Sequence, residues 1–368
     1  MRILYGVNGE GMGHATRSRV VIDALLENHD VRVVSHGGAY SFLAEALPHV
    51  DEIFGPTFAM KDGQIQRWAT VVENLSSLGQ ELPHTVREWL ARTREWRPEV
   101  AITDFEPLTA AYARYSRTPL VAVDNINMLD RCHHDAEIVG AEREDFLIAK
   151  AVTHSMVPGA LEYVVTTFFE PPLAKACTTL VPPIVRPEIE SATSERGDHL
   201  VVYSSGEEAL IDALRASGVP CRVYGMRGGP SEDEVDGNLE FRPRSGPGFV
   251  EDLRTSMGVV AGGGFSLLSE AVYLGKPVLA IPLRGQFEQL MNARYLERDG
   301  YGLCAEEVDE QVVQRFLDGL DDFERALSGY QQDGNGVALE TVERLASAAG
   351  AADRKQIRQS RRAAKRRA

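Results

Sequence analysis

Short apolar runs alternate with stretches of helical periodicity along the chain. In the first half the runs that predict strands are residues 3–7, 31–35, 51–54, 98–104 and 119–123. In the second half they are residues 199–203, 221–224, 238–241, 257–261 and 278–281. Helical patterns lie between them, including a long polar stretch at 66–96, and two more at 311–327 and 336–349 end the pattern. Such alternation predicts parallel sheets with helices on both faces.

The stretch 182–198, PPIVRPEIESATSERGD, is rich in Pro, Ser and charge and is predicted to be a linker. Each half begins with a strand, a glycine turn and a helix. The sequence therefore predicts an α/β protein with two doubly wound, Rossmann-like domains at 1–182 and 199–349, a linker at 183–198 and a tail at 350–368. Ligands of such sheets lie beyond the carboxyl ends of the strands.

The net charge of −15 over 368 residues conceals a basic end. Residues 354–368 contain eight Lys or Arg and no acid, so the remaining chain has 31 basic and 54 acidic residues, a net charge of −23. An acidic body disfavours nucleic-acid binding. The tail is predicted to be solvated and disordered, and contact with acidic lipid or an acidic partner is the alternative.

Targeting and redox signals are weak. The apolar start is too short for a secretory signal, and no apolar run reaches the roughly 18 residues of a membrane span. The four cysteines, Cys132, Cys177, Cys221 and Cys304, form no CxxC pair, so neither a zinc site nor a disulfide framework is indicated. We therefore expect a cytoplasmic protein with reduced thiols.

The densest candidate chemistry lies in the stretch 258–293, GVVAGGGFSLLSEAVYLGKPVLAIPLRGQFEQLMNA. Gly262, Gly263 and Gly264 separate a predicted strand from a predicted helix, and a helix that starts there presents unpaired N–H groups to an anion, usually phosphate. Glu270 and the Glu288-Gln289 pair follow it. An ordinary βαβ crossover with a glycine turn is the alternative interpretation.

The first half begins with a similar glycine loop, NGEGMGH, ending at His14. The loop does not match GxGxxG, and the next strand ends without the acid that holds a ribose in dinucleotide sites, which disfavours an NAD enzyme. The lysine of a P-loop is also absent.

With the motifs GEGMGH, TDFEP, YSSGE and GGGFSLLSEAVYLGKPVLAIPLRGQFEQLMNA, the chain resembles the GT-B glycosyltransferases up to about residue 349. The likeness is greatest to the branch of the peptidoglycan N-acetylglucosaminyltransferase and related nucleotide-sugar transferases. The resemblance implies two domains facing each other across a cleft. The carboxyl-terminal domain would hold a nucleotide diphosphate sugar, which is a co-substrate rather than a cofactor, and the amino-terminal domain the acceptor.

The resemblance also implies roles for single residues. Glu270 matches the carboxylate that accepts hydrogen bonds from the ribose hydroxyls, with a solvated helix position as the alternative. Glu288 and Gln289 match the pair that contacts sugar hydroxyls, although an acid at 288, where glutamine is common, leaves the sugar open. The implied diphosphate cradle consists of Ser204, Ser205, Gly206, Gly263, Gly264, Phe265 and Ser266.

For the catalytic base we predict His14, held by Asp104. In a doubly wound order the strand before the glycine loop and the strand that ends at Asp104 are neighbours. A carboxylate beside an imidazole can fix its tautomer and favour its charged form after proton abstraction, and the resemblance implies the same dyad. The alternatives are a helix-capping His14 and an Asp104 that caps the helix beginning near Pro107. The predicted acceptor or diphosphate vicinity also includes Gly11, Gly13, Arg17 and Asp124. The reserve candidates for the catalytic base are Asp124 and Glu106.

We expect an inverting glycosyltransferase that uses a UDP or dTDP sugar and a small-molecule, lipid or glycan acceptor. No Asp-x-Asp follows a predicted strand, and backbone N–H groups with helix dipoles can stabilise the diphosphate, so we expect no metal requirement. A sugar-nucleotide 2-epimerase and a non-catalytic binding protein of the same shape are the alternatives.

Overall fold

The computed structural model describes residues 1–53, 60–61, 64–65, 84–204, 208–226, 230–243 and 246–352. The chain divides into two compact units. The first consists of residues 1–134, 143–184 and the chain from 335 onward, and the second of residues 135–142 and 185–334. Residues 353–368 of the predicted tail and two residues of the predicted cradle, Ser205 and Gly206, lie outside the described residues.

The first unit contains a seven-stranded parallel sheet. Its order is β3-β2-β1-β6-β7-β8-β9. These strands are β1 (Arg2–Val7), β2 (Asp30–Ser35), β3 (Val50–Glu52), β6 (Val100–Asp104), β7 (Leu120–Asp124), β8 (Glu162–Thr166) and β9 (Thr178–Val181). A separate antiparallel pair, β4 (Met60–Lys61) and β5 (Gln64–Ile65), lies between β3 and β6 in the chain.

Helices connect the strands of the first unit. Every residue of β1, β6 and β7 except Arg2 is buried, and most of them are apolar, the pattern of central parallel strands that are covered on both faces. The helices are α1 (Met12–Leu26), α2 (Gly37–Ala46), α3 (His84–Trp96), α4 (Pro107–Ser116), α5 (Met128–Arg131) and, after the short α6 (Ala136–Val139) of the second unit, α7 (Arg143–Met156).

The second unit repeats the arrangement with the sheet order β12-β13-β11-β10-β14-β15-β16. All neighbours are parallel except the pair β12 and β13. The strands are β10 (Leu200–Tyr203), β11 (Cys221–Tyr224), β12 (Glu234–Asp236), β13 (Leu239–Phe241), β14 (Gly258–Ala261), β15 (Val278–Ala280) and β16 (Gly302–Cys304). Its helices, besides α6, are α8 (Pro187–Glu190), α9 (Glu208–Ser217), α10 (Gly246–Arg254), α11 (Phe265–Tyr273), α12 (Phe287–Arg298) and α13 (Glu310–Leu327).

The last described helix, α14 (Gly336–Ala351), packs on the first unit, whereas the predicted boundary placed it with the second. Its buried residues Val342 and Ala346 join the same core as Ile3 and Val121. The amphipathic pattern identified the helix correctly. It could not identify the sheet that the helix covers, because both sheets offer an apolar face.

The segment predicted to be a linker is docked on the second unit. It contains α8, and the Ser194 hydroxyl donates to the Leu274 carbonyl at 2.6 Å. The buried Lys276 ammonium donates to the carbonyls of Glu195 and Ser256 at 2.6 and 2.8 Å. These bonds satisfy backbone groups that a free linker would leave to water, so from Val185 onward the linker prediction is wrong.

Six of the strands in the described residues, β4, β5, β8, β9, β12 and β16, were missing from the sequence-based prediction. The last two have only three residues each, too few for a periodic signal. Of the predicted helix at 66–96, only 84–96 falls within the described residues. Among all the described residues of the chain, no helix combines the length and the apolar character needed to cross a bilayer.

Candidate active site

The first candidate site lies at the carboxyl ends of β1 and β6. These strands are neighbours, with Val7 opposite Asp104, and the Asn8 N–H donates to the Asp104 carbonyl at 3.1 Å. The loop after β1 turns at Gly11, with a φ of +80°, and leads into α1, whose first turn contains Gly13 and His14. Glycine is favoured at position 11 because other residues rarely adopt this backbone conformation. The loop thus places His14 above the end of β6.

His14 and Asp104 form a hydrogen-bonded pair. The imidazole Nδ1 lies 2.7 Å from Asp104 Oδ1, and the histidine side chain is 16% exposed while the aspartate is 0% exposed. Arg17 Nη2 also lies 3.2 Å from Nδ1, but the carboxylate is closer and can only accept, so we assign the proton to Nδ1 and the lone pair to Nε2. Within the described part of the chain, Nε2 has no hydrogen-bond partner. The pair is therefore arranged to accept a proton at Nε2.

Asp104 is also bound by Arg17 and Ser18. The Arg17 guanidinium donates to Oδ1 at 2.6 Å and to Oδ2 at 3.1 Å, and the Ser18 hydroxyl donates to Oδ2 at 2.8 Å. Burial alone would raise the pKa of the Asp104 carboxyl, but the charge of Arg17 and the contact with His14 hold it below its usual range. Asp104 is thus ionised and fixed.

Arg17, which was predicted to lie in the acceptor or diphosphate vicinity, is buried and paired with Asp104. Its contact with a diphosphate stays a prediction. Ser18 was missed altogether. The signal was available in the spacing, because residues three and four positions after His14 share its face of a helix.

The reserve bases are both engaged elsewhere. Glu106 is the N-cap of α4, where its carboxylate accepts from the N–H groups of Leu108 and Thr109, so Asp104 does not cap this helix. The carboxylate of Asp124 accepts from the N–H and the side-chain amide of Asn127. Burial, and then the charge of Asp104, raise the pKa of Asp124 to about 6. Asp124 is 0% exposed and cannot contact a ligand in this arrangement.

The second candidate site is the glycine loop between β14 and α11. A Cβ on Gly263 would overlap the Gln289 backbone, so the approach of α12 requires a glycine there, and one on Gly262 would touch the Gln289 side chain. Only Gly264, of these three, has open space around the position of a Cβ. Helix α11 begins at Phe265 without a side-chain cap. The part of the loop that is open to a ligand is therefore Gly264 with the first turn of α11, which includes Ser266.

Ser204 follows β10, the neighbour of β14 in the sheet, and its N–H donates to the Tyr224 carbonyl at 3.2 Å. Since Tyr203 is opposite Ala261, Ser204 lies at the same edge of the sheet as the glycine loop. Of the predicted cradle residues Ser204, Ser205 and Gly206, only Ser204 falls within the described residues.

Glu270 lies on α11 with 4% exposure, which excludes the solvated alternative. Its two oxygens accept from Arg186 Nε at 2.6 Å and Nη2 at 2.7 Å. Burial raises the pKa of Glu270 above its usual range although Arg186 opposes the shift. The Arg186 guanidinium also lies 5.7 Å from the centre of the Phe249 ring. Arg186 was missed because it falls in the segment predicted to be a linker.

Glu288 and Gln289 occupy the first turn of α12, beside the glycine loop. The Gln289 side chain is engaged on both sides, accepting from the Leu283 N–H at 3.1 Å and donating to Gln286 Oε1 at 2.6 Å. Glu288 Oε1 lies 3.5 Å from the Asn292 amide. Their predicted contact with sugar hydroxyls stays a prediction.

No group of three or more His, Cys, Asp or Glu side chains with metal-binding geometry occurs among the described residues. Metal independence is not tested by this finding and also stays a prediction.

A family model described as "Glycosyl transferase family 1" matches residues 1–321 of the chain. An "Uncharacterized glycosyltransferase" of Methanosarcina acetivorans is 24% identical over 344 residues, covering 82% of this chain and 85% of the relative. A second such protein, from Methanosarcina mazei, is 24% identical over 334 residues, again with 82% and 85% coverage.

Solved structures share the fold. The structure of Phytolacca americana UGT2, complexed with UDP-2fluoro-glucose and pterostilbene, has a TM-score of 0.65 at 16% identity, covering 94% of this chain and 98% of that one. The glycosyltransferase VinC in complex with DTDP has a TM-score of 0.63 at 15% identity, with 95% and 99% coverage. The chain therefore has the GT-B fold, with two doubly wound Rossmann-like domains.

Proposed function

Because this chain belongs to glycosyl transferase family 1, we propose that it transfers a sugar from a UDP or dTDP sugar to an acceptor hydroxyl, with inversion and without a metal. The observation that carries the proposal is the His14–Asp104 pair. It combines a buried, ionised carboxylate with an imidazole whose Nε2 is left without a partner among the described residues.

The donor is assigned to the second unit. Glu270 supplies a buried carboxylate. Each of its oxygens accepts one hydrogen bond from Arg186 and keeps a further lone pair that can accept from a ribose hydroxyl. Gly264 and the first turn of α11 supply N–H groups and the positive end of the helix dipole for the diphosphate. The ligands of VinC and Phytolacca UGT2 make dTDP and UDP sugars the first donors to test.

The reaction requires one proton transfer and one displacement. His14 Nε2 takes the proton of the acceptor hydroxyl, whose oxygen forms a bond to the anomeric carbon. The bond from that carbon to the diphosphate oxygen breaks, and the nucleoside diphosphate leaves with the electron pair. Asp104 stabilises the imidazolium through Nδ1–H. Arg17 balances the charge of Asp104, so the cluster stays uncharged until the proton arrives.

Water can serve as acceptor while the natural acceptor is unknown. We expect the protein, incubated with UDP-glucose, UDP-N-acetylglucosamine or dTDP-glucose, to release UDP or dTDP slowly from at least one of them. If deprotonation limits the rate, His14→Ala should reduce release by about 10² to 10⁴, the usual range for general base catalysis. Chromatography of the nucleotides measures release, with and without EDTA.

His154→Ala is the matched control, because it removes a half-exposed histidine of the same unit that also contacts an aspartate, Asp130. It should leave the rate unchanged. An isomerised donor without nucleotide release would identify an epimerase instead. A His14→Ala protein within a few-fold of the parent would remove His14 from the mechanism.

A further inference from the structure

The peptide between Gly263 and Gly264 is held from one side by a buried amide. Asn292, in the second turn of α12, is 0% exposed, and its Nδ2 donates to the Gly263 carbonyl at 3.1 Å. The opposite orientation of the amide would set its oxygen against a carbonyl oxygen, so the assignment of Nδ2 is secure on chemical grounds.

This contact fixes the direction of the next N–H. In a trans peptide the C=O and the following N–H point in opposite directions, and no peptide among the described residues is cis. Because the Gly263 carbonyl points to Asn292, the Gly264 N–H points away from α12. Gly264 is also the loop glycine with open space beside it.

A restraint is needed here because two consecutive glycines impose little conformational preference of their own. A rotation of the Gly263–Gly264 peptide would replace the outward N–H by an outward carbonyl oxygen. An anion would then meet an acceptor rather than a donor. The amide of Asn292 opposes that rotation, since rotating the peptide would break the 3.1 Å bond and leave this buried donor only its longer contact with Glu288.

The stability of the folded protein alone does not explain an asparagine at position 292. Its Oδ1 is buried without a hydrogen-bond partner within the described part of the chain, and an unsatisfied buried acceptor destabilises the folded state. A leucine has nearly the same shape and carries no unsatisfied group. The position of this residue is therefore better explained by what its amide does to the glycine loop.

We propose that Asn292 is a positioning residue, which orients the Gly263–Gly264 peptide so that the Gly264 N–H donates to the donor diphosphate. The inference rests on the proposed function, because it needs the diphosphate to bind at this loop. Asn292 itself need not touch the phosphate.

The test compares a ligand that has phosphate with one that lacks it. UDP and uridine, with dTDP and thymidine in parallel, are titrated by calorimetry against the native protein and Asn292→Leu. The variant should lose about tenfold or more in affinity for the diphosphate, the effect of one hydrogen bond to a charged group. Affinity for the nucleoside should stay within about twofold of the native value. A defect in folding would lower both affinities together.

Two further measurements keep the test decisive. Asn292→Asp sets an acceptor against the Gly263 carbonyl and should weaken diphosphate binding at least as much. Its matched control is Gln286→Glu, which adds the same charge near the start of α12 and can still accept from Gln289 Nε2. In the native protein, the Gly264 amide resonance should shift with UDP and not with uridine, which requires no variant.

Nucleotide binding by the native protein and by Asn292→Leu distinguishes an error in the role of Asn292 from an error in the proposed function. A native protein that binds neither diphosphate contradicts both. A native protein that binds UDP or dTDP, with an Asn292→Leu variant that binds it equally well or loses nucleoside and diphosphate in the same proportion, contradicts the role of Asn292 alone. A Gly264 amide resonance that does not shift with UDP contradicts that role as well.

Discussion

Asp104 shows how much of the first candidate site depends on single side chains. Its carboxylate has no exposure, yet it receives bonds from His14, Arg17 and Ser18. A buried carboxylate is tolerated only when it is paired and hydrogen-bonded. The pairing of His14 with Asp104 could be predicted because a glycine loop and a strand end mark both positions. The roles of Arg17 and Ser18 depend on the rotation of α1 about its axis, which the motif alone does not give.

Asp124 provides a prediction with a defined pH dependence. Its pKa in the folded protein, about 6, exceeds the value of about 3.9 in an unfolded chain. An acid with a raised pKa stabilises the fold when protonated, so its contribution is lost as the pH rises from about 4 to 6. Asp124→Asn should therefore raise the unfolding free energy at pH 8 by up to about 3 kcal/mol, at roughly 1.4 kcal/mol per pKa unit.

Urea unfolding at pH 8 and near pH 4 measures the effect. The gain should shrink towards the lower pH, where the native carboxyl is also neutral. Asn127 can turn its amide to accept from the new side chain, so its hydrogen bonds need not be lost. A variant destabilised equally at both pH values would show that the hydrogen bonds of the carboxylate outweigh its burial.

At the scale of elements, the glycine loop and α12 form one packed unit. The sequence predicted the strand, the turn and the helix in the right places, because apolar periodicity and three glycines mark them clearly. It could not distinguish a glycine that faces a ligand from one that faces a neighbouring helix. That distinction depends on the distance between α12 and the loop, which only tertiary packing sets.

This distinction predicts opposite outcomes for two neighbouring alanine substitutions. Gly263→Ala places a Cβ against the Gln289 backbone, which cannot move without shifting α12, and overpacking of this kind costs about 1–3 kcal/mol or more. Gly264→Ala has open space and an ordinary φ of −67°, so stability should stay the same or rise by about 0.4–1 kcal/mol. Its methyl group should weaken UDP binding, since it projects where the ligand would approach.

Thermal unfolding and UDP titration of both variants test this. A Gly263→Ala variant as stable as the parent would mean that the Gly263 position is not packed against α12, and a Gly264→Ala variant that loses as much stability would mean that its position is not open. A Gly264→Ala variant that is stable and binds UDP normally would move the diphosphate away from the loop.

At the scale of the whole chain, the core of the first unit includes the last described helix, α14. The polypeptide leaves this unit at Ile184 and returns to it at Asn335. Sequence patterns predicted two α/β halves correctly. They did not predict the return, because the periodicity of α14 is the same whichever sheet it covers.

Truncation after Gly334 tests the dependence of the first unit on α14. Burial of Val342 and Leu345 alone contributes about 3–6 kcal/mol, a large share of the roughly 5–15 kcal/mol that stabilises a domain. The first unit should unfold in the truncated chain. Truncation after Asp353 is the control, and we expect no change in the melting temperature, because a run of cations without apolar partners adds little to a core. A chain ending at Gly334 that melts like the parent would contradict the assignment of α14.

The central claim is that the second unit binds the nucleotide of a sugar donor through Glu270. Calorimetric titration of UDP and dTDP into the native protein, Glu270→Ala and Glu142→Ala tests it most directly. Glu142→Ala is the matched control, because it removes a carboxylate of the same unit paired with Arg294 at 2.6 Å. We predict that the native protein and Glu142→Ala bind at least one nucleotide equally well. Glu270→Ala should lose about 1.5–3 kcal/mol of binding free energy, the contribution of hydrogen bonds to a charged group. A native protein that binds neither nucleotide, or a Glu270→Ala variant with native affinity, would contradict the claim.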